Sequence, residues 1–194
     1  MKTGIRLLAV FVLGAACAVA AALLPMKAGL GLKIGSVSNG PWNYSNWTGS
    51  TRANPWIRAW VALHGTWALG PEEALYTEAS ADSSGAPLRT SCKYRVRGNP
   101  VDARWWSLTL YKDNHLVENS ENRYSWSAST LEFMPDGSWE IVLAREAVEG
   151  NWLPMGQGEG DLSLILRFYN PSQALMASGL GGVQLPRIER EHCK

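Results

Sequence analysis

The stretch "DLSLILRFY", residues 161–169, alternates along its whole length. One set of alternate positions is apolar throughout: Leu162, Leu164, Leu166 and Phe168. The other set is mixed: Ser163, Ile165, Arg167 and Tyr169. Because successive side chains of a β-strand point to opposite faces, this pattern predicts a strand with one face in a protein core.

A second stretch, "RWWSLTLY" at residues 104–111, repeats the pattern. Its apolar set is Trp106, Leu108 and Leu110. Its mixed set is Trp105, Ser107, Thr109 and Tyr111. The mixed faces of the two stretches are either ordinary solvent-facing surface or the floor of a groove, since an antiparallel sheet commonly has one wet face.

Further short strands are predicted on both sides of these two. They cover residues 75–80, 87–96, 122–127 and 185–190, the last as an edge strand. Residues 129–134 and 138–144 flank a Pro-Asp-Gly turn, which predicts a β-hairpin. Seven or more short strands with regular turns are typical of an antiparallel sandwich or jelly roll. The predicted fold is therefore mainly β.

One soluble helix is predicted from Asn54 to Gly70. Asn54 can cap it, Pro55 suits its first position, and Gly70 ends it. Apolar side chains recur at helical spacing and predict a face buried against the sheet. That face comprises Trp56, Trp60, Val61, Leu63, His64 and Trp67.

The N-terminus is a different kind of segment. Lys2 and Arg6 precede eighteen uncharged residues, Leu7 to Leu24. As a helix these would span roughly 27 Å, close to the thickness of a bilayer core. We expect an uncleaved membrane anchor with a cytoplasmic N-terminus; a signal peptide cleaved near Ala20 and a lipid-bearing Cys17 are the alternatives.

The charge balance excludes one class of partner. Without Lys2 and Arg6 the chain has 16 basic and 17 acidic residues, so neither sign dominates. A nucleic-acid-binding domain would need a basic surface, and none is predicted. The scattered His64, His115 and His192 give no support for a metal site, and no cofactor is expected.

Two cysteines remain in the exported part, Cys92 and Cys193. They are either unrelated free thiols or one disulfide. Unpaired thiols are a liability in an oxidising compartment, so the bridge is the prediction.

The predicted strands also carry a resemblance. The blocks "RWWSLTLYKDNHLVENSENRYSW", "PDGSWEIVLA", "GNWLP", "LILRFYNPSQAL" and "LPRIER" occur in the order of a bacterial domain family of unknown function, number 1214. The resemblance covers about Ala74 to Arg190. It implies a jelly-roll-like domain, often joined to a partner domain of a related family of unknown function. Here a membrane segment and a tryptophan-rich helix precede the similar region, and no catalytic residue can be carried over.

Three classes of function fit these observations. The first is a non-catalytic envelope module that binds glycan, peptide or lipid through aromatic side chains, and ten tryptophans favour it. The residues predicted for binding are Trp105, Thr109, Tyr111, Trp152, Arg167 and Tyr169. Trp152 would either overhang the groove or plug the end of the sandwich.

The second class is a hydrolase of envelope polysaccharide. Such an enzyme needs two carboxylates about 5–10 Å apart, and Glu118, Glu121 and Glu140 are the candidates. Glu140 could share the face of Arg167. The third class is a structural subunit that needs a partner chain.

The predicted organisation has three parts. Residues 1–26 form the signal-anchor or signal peptide, and residues 54–194 form the exported β domain. Residues 27–53 form a tether and entry loop, and Trp42, Tyr44 and Trp47 suggest that this segment lies against the domain. The expected location is the inner membrane with the domain in the periplasm, or the periplasm itself after cleavage.

Overall fold

The computed structural model describes residues 2–27, 36–45, 47–63 and 68–193. The chain is mainly β. The helices are α1 (Lys2–Lys27), α2 (Pro55–Leu63) and α3 (Gln173–Ser178), followed by a short 3-10 turn at Leu180–Gly182. The strands are β1 (Ser36–Asn39), β2 (Trp42–Ser45), β3 (Ala74–Ala79), β4 (Cys92–Gly98), β5 (Ala103–Lys112), β6 (His115–Leu116), β7 (Ser125–Ser127), β8 (Trp139–Ala144), β9 (Trp152–Pro154), β10 (Leu162–Pro171) and β11 (Arg187–Cys193).

These strands form two sheets. The first has the order β1-β2-β3-β10-β5-β6, and β7 also pairs with β5. The second has the order β11-β4-β8-β9. All pairings are antiparallel except that of β8 with β9. The predicted mainly antiparallel β fold is confirmed, whereas the jelly-roll connectivity stays a prediction.

The two sheets share one core. The apolar sets of β5 and β10 are buried in it, with Leu108, Leu110, Leu164, Leu166 and Phe168 at 0% exposure. Tyr94, Ile141 and Leu143 reach it from the second sheet. The rings of Trp106 and Trp139 stack across the core with centroids 4.8 Å apart. Gly98 makes room for this stack, because a Cβ there would lie 2.2 Å from the Trp139 ring.

The prediction of a tether over residues 27–53 is wrong for residues 36–45. These form the hairpin β1–β2, and β2 pairs with β3 at the edge of the first sheet. Trp42 is fully buried, and its Nε1 donates a hydrogen bond to the carbonyl of Pro186 at 2.7 Å. The glycine and serine content of this segment is typical of a loop, because the strand pair is stabilised by the buried rings of Trp42 and Tyr44 and not by local propensity. The β domain therefore begins before residue 54.

Helix α2 starts as predicted, since Asn54 Oδ1 accepts a hydrogen bond from the Ile57 N–H at 2.9 Å. Residues 68–70 are not helical, so the predicted end at Gly70 is wrong. The predicted buried face is also wrong at Trp56, which is 39% exposed, whereas Ile57 is 1% exposed. Apolar residues occupy nearly every position of α2, so periodicity does not identify its buried side. His64 and Trp67 lie outside the described residues, as do the side chains of Trp60 and Leu63.

The Pro-Asp-Gly turn forms, but the predicted hairpin around it does not. Asp136 Oδ1 accepts from the Ser138 N–H at 2.9 Å, and Gly137 has a φ of 81°. Residues 129–134 are not in a strand, whereas 139–144 form β8. The side chain of Asn151 holds the backbone of this non-strand segment instead, bonding both the N–H and the carbonyl of Glu132.

The disulfide between Cys92 and Cys193 is present. It joins directly paired positions of β4 and β11, so it closes the end of the predicted edge strand. A bridge over 101 residues stabilises the folded chain by roughly 4–5 kcal/mol on the chain-entropy model.

Helix α1 is long and apolar enough to cross a membrane. Its candidate span is Thr3–Pro25, 23 residues with a mean hydropathy of 2.7 and no burial inside the protein. A membrane anchor and a signal sequence both fit this helix. The remaining cysteine, Cys17, is exposed on it.

Candidate functional site

Five of the six residues predicted for binding lie on one surface. Trp105, Thr109 and Tyr111 belong to β5, and Arg167 and Tyr169 to β10, which are adjacent strands in antiparallel register. Their side chains alternate with those that enter the core, so they lie on the outer side of the first sheet. We call this surface the arginine face; it consists of Trp105, Ser107, Thr109, Tyr111, Arg167 and Tyr169.

Arg167 is fixed at the middle of the arginine face. Its Nη1 donates to Thr109 Oγ1 and its Nη2 to the Tyr111 hydroxyl, both at 2.9 Å. The guanidinium carbon lies 6.0 Å from the centre of the Tyr111 ring. Both acceptors are neutral, and among the described residues these two bonds use two of the five N–H donors of the side chain. Arg167 belongs to none of the ion pairs seen among the described residues.

An aromatic pair lies beside the arginine. Trp105 and Tyr169 are opposite each other on β5 and β10, with ring centroids 5.2 Å apart and tilted by 54°. Trp105 Nε1 donates to Ser129 Oγ at 2.8 Å, which fixes the orientation of the indole. Both rings are half-buried, so each offers part of an amphipathic surface to solvent.

Sequence reasoning missed Tyr76 as a neighbour of this face. It lies on β3 directly opposite Arg167, and its hydroxyl accepts the Leu69 N–H at 2.9 Å. Burial raises the pKa of Tyr76. In the stretch "ALYTEA", Tyr76 points to the other side of the strand from the buried Leu75 and Thr77. This alternation is the signal in the sequence that predicts an outward-facing Tyr76. The pairing of β3 with β10, which brings Tyr76 next to Arg167, cannot be predicted from the sequence pattern.

Trp152, the sixth predicted residue, is not on the arginine face. It lies on β9 in the second sheet, opposite Val142 and on the side away from the core. Its Nε1 donates to the Ala144 carbonyl at 2.9 Å, and its own carbonyl accepts from Trp126 Nε1 at 3.0 Å. The side chains that fill the sandwich at this point are those of Leu153, 0% exposed, and Met155, 2% exposed. Both placements predicted for the Trp152 ring, the groove rim and the plug, are therefore wrong, because β9 directs the next side chain inward.

Glu140 does not share the face of Arg167 either. It projects from the outer side of the second sheet and pairs with Arg95 and Arg97. Further pairs join Lys93 and Arg95 to Glu191, and Arg97 to Glu189. We call this set the second-sheet ion network; it consists of Lys93, Arg95, Arg97, Glu140, Glu189 and Glu191. The alternation correctly predicts that Glu140 points away from the core-facing Trp139 and Ile141. It does not predict which sheet the strand joins.

The three carboxylates predicted for hydrolysis, and Asp136 of the Pro-Asp-Gly turn, have other roles or are exposed to solvent. Glu140 is held in the second-sheet ion network, and Asp136 accepts two bonds from Ser138 that hold its pKa below the usual range. Glu118 and Glu121 are exposed. Within the described ranges, no three His, Cys, Asp or Glu side chains come together as metal ligands would.

One of the comparisons with known proteins identifies a family, and that family is of unknown function. The family model described as "Protein of unknown function (DUF1214)" matches residues 73–173, just over half of the chain and all of the arginine face. No curated protein matches the chain.

Two solved structures are similar. The VPA0106 protein from Vibrio parahaemolyticus is 29% identical, with a TM-score of 0.58 over 73% of this chain and 36% of that chain. An uncharacterized protein from Burkholderia cenocepacia is 25% identical, with a TM-score of 0.42 over 63% of this chain and 30% of that chain. The chain thus matches only about a third of the length of either protein. On the strength of the family match across both central strands of its first sheet, this chain belongs to the DUF1214 family.

Proposed function

We propose that the protein is a membrane-anchored envelope module that binds a glycan, or another envelope component, on the arginine face. The observation that carries the proposal is the fixed guanidinium of Arg167 beside the Trp105–Tyr169 pair. Aromatic rings suit the apolar faces of sugars, and a guanidinium suits a carboxylate or phosphate group. An acidic glycan has both an apolar sugar face and an anionic group. The ordered side chains of the arginine face need little rearrangement to bind it.

The location is part of the same proposal. α1 holds the chain in the inner membrane, and the β domain faces the periplasm. The apolar span of α1 supports the anchor, and the Cys92–Cys193 bridge supports an oxidising compartment. The basic Lys2 and Arg6 favour a cytoplasmic N-terminus.

A screen of bacterial envelope oligosaccharides, printed as an array, tests the binding proposal. The full chain in detergent should bind at least one acidic class. The double variant Trp105→Ala/Tyr169→Ala should lose that binding while it still unfolds cooperatively. Trp152→Ala is the matched control, because it removes a half-buried aromatic ring from the other sheet, and it should bind as the wild type does. No binding by the wild type, or equal loss in the control, would show that the arginine face is not a glycan site.

A further inference from the structure

Helix α2 has apolar side chains on both its inner and its outer side. Of its nine residues, "PWIRAWVAL", only Arg58 is polar. Ile57 is buried at 1% exposure, whereas Trp56 and Ala62 are exposed on the outside. A surface helix of a soluble domain normally presents polar residues to water, and a helix that is apolar all round is normally covered. We therefore expect an apolar or amphipathic surface to pack against the outer side of α2.

The neighbouring loops extend this exposed apolar surface. Trp47 is 39% exposed and Leu69 is 41% exposed. The loops that carry Trp47 and Leu69 are in close contact, because a Cβ on Gly49 would lie 1.9 Å from the Leu69 carbonyl oxygen. Arg58 ties the loop to α2 by donating to the carbonyls of Thr51 and Ala53. We call this exposed set the α2 surface; it consists of Trp47, Arg52, Trp56, Arg58, Ala62 and Leu69.

The α2 surface adjoins the end of the membrane helix. α1 contacts α2. Among the α1 side chains that the structure describes, Ala20 and Pro25 are the partly covered ones, and the others are exposed. The contact is thus with the C-terminal end of α1, away from Arg6. If α1 spans a bilayer, this end lies in the headgroup region on the side of the β domain.

The composition of the α2 surface suits a headgroup region. Residues 47–63 contain Arg52 and Arg58 and no acidic side chain. Tryptophan concentrates at membrane–water interfaces, and exposed arginines attract anionic lipids. The second-sheet ion network shows the contrast, because it balances three cations with three carboxylates.

We propose that the α2 surface docks on the bilayer and holds the β domain flat against the membrane next to its anchor. The occupant is a lipid surface with anionic headgroups. Trp47, Trp56 and Leu69 enter the interface, while Arg52 and Arg58 meet phosphates. This inference rests on the proposed membrane anchor, and it is independent of the ligand of the arginine face.

Quenching of tryptophan fluorescence by brominated lipid tests the docking. α1 contains no tryptophan, so quenching reports on the β domain and not on the anchor. The full chain is reconstituted in phosphatidylethanolamine–phosphatidylglycerol vesicles that carry bromine near the glycerol end of the acyl chains. The wild type should be quenched, and Trp47→Phe/Trp56→Phe should reduce the quenched fraction about twofold, since these rings would sit at the interface. Trp105→Phe, the matched control on the arginine face, should leave it unchanged.

Each other outcome contradicts the docking in a distinguishable way. Vesicle flotation without quenching would overturn it and leave the anchor standing. Failure to float would overturn both. An equal reduction in the Trp105→Phe control would place the membrane contact elsewhere, and concentration-dependent self-association without quenching would assign the surface to a second copy of the chain. If the double variant loses its cooperative melt, the single Trp56→Tyr variant replaces it with the same expected direction.

Discussion

At the scale of single residues, Trp152 and Leu153 are neighbours with different roles. Leu153 is fully buried in the shared core, whereas Trp152 is half-buried on the outer side of the second sheet. Leu153→Ala should lower the free energy of unfolding by about 2–5 kcal/mol, because it leaves a cavity. Trp152→Ala should cost less, since it removes a partly exposed ring and one hydrogen bond. Urea unfolding of both variants gives the comparison, and a larger loss for Trp152→Ala would contradict these placements.

Glu191 gives the second-sheet ion network a defined pH dependence. Hydrogen bonds from Lys93 and Arg95 hold its pKa below the usual range, although burial opposes them. A carboxyl whose pKa is lower in the folded state stabilises the fold above its unfolded pKa, and this contribution is lost as pH falls through the folded pKa. The melting temperature should therefore fall with pH below about 4.5 in the wild type and less steeply in Glu191→Gln. If the melting temperatures of the two proteins fall equally steeply between roughly pH 3 and pH 5, the ion pairing of Glu191 is contradicted.

Single residues also show what alternation can and cannot predict. The period of two placed Arg167 and Tyr169 on one face and Phe168 on the other, because strand geometry is local. It did not predict that Thr109 and Tyr111 bond to Arg167, since that depends on the register between β5 and β10. It could not predict which sheet carries Glu140, because the sheet that a strand joins is set by distant pairing.

At the scale of elements, the hairpin β1–β2 is the clearest difference from expectation. Trp42 is fully buried in the core, whereas Trp47 just beyond the hairpin is 39% exposed. Trp42→Ala should cost about 3–5 kcal/mol of unfolding free energy, the range for a buried large aromatic. Trp47→Ala is the matched control and should cost much less in detergent. Equal melting of the two variants would mean that residues 36–45 are the tether that their composition suggests.

Long alternating strands were predicted well, and short elements were not. β5 and β10 each run for ten residues, so their pattern is clear over several repeats. β9 has three residues and β1 four, which is too few for a period to be recognised. The segment 129–134 had strand-like composition, but Asn151 bonds its backbone and replaces a strand partner.

At the scale of the whole molecule, the two outer faces of the sandwich differ in electrostatics. The second sheet carries the ion network, in which every cation has a carboxylate partner. The arginine face carries Arg167 held by hydroxyl groups beside an aromatic pair. The sequence predicted the mainly β fold, the apolar N-terminal helix and the disulfide. It could not predict that the ion network lies on one sheet and Arg167 with the Trp105–Tyr169 pair on the other, because that follows from the strand order.

The two faces offer matched arginines for the most direct test of the proposed function. Arg167→Ala removes the guanidinium from the arginine face, and Arg97→Ala removes one of comparable reach from the second sheet. The measurement is the Kd of the full chain, in detergent, for the strongest-binding oligosaccharide of the envelope array. Arg167→Ala should weaken binding at least about tenfold, as the loss of a charged hydrogen bond would, while Arg97→Ala should stay within about twofold. Wild-type affinity in Arg167→Ala, or a comparable loss in Arg97→Ala, would contradict the assignment of the arginine face as the ligand site.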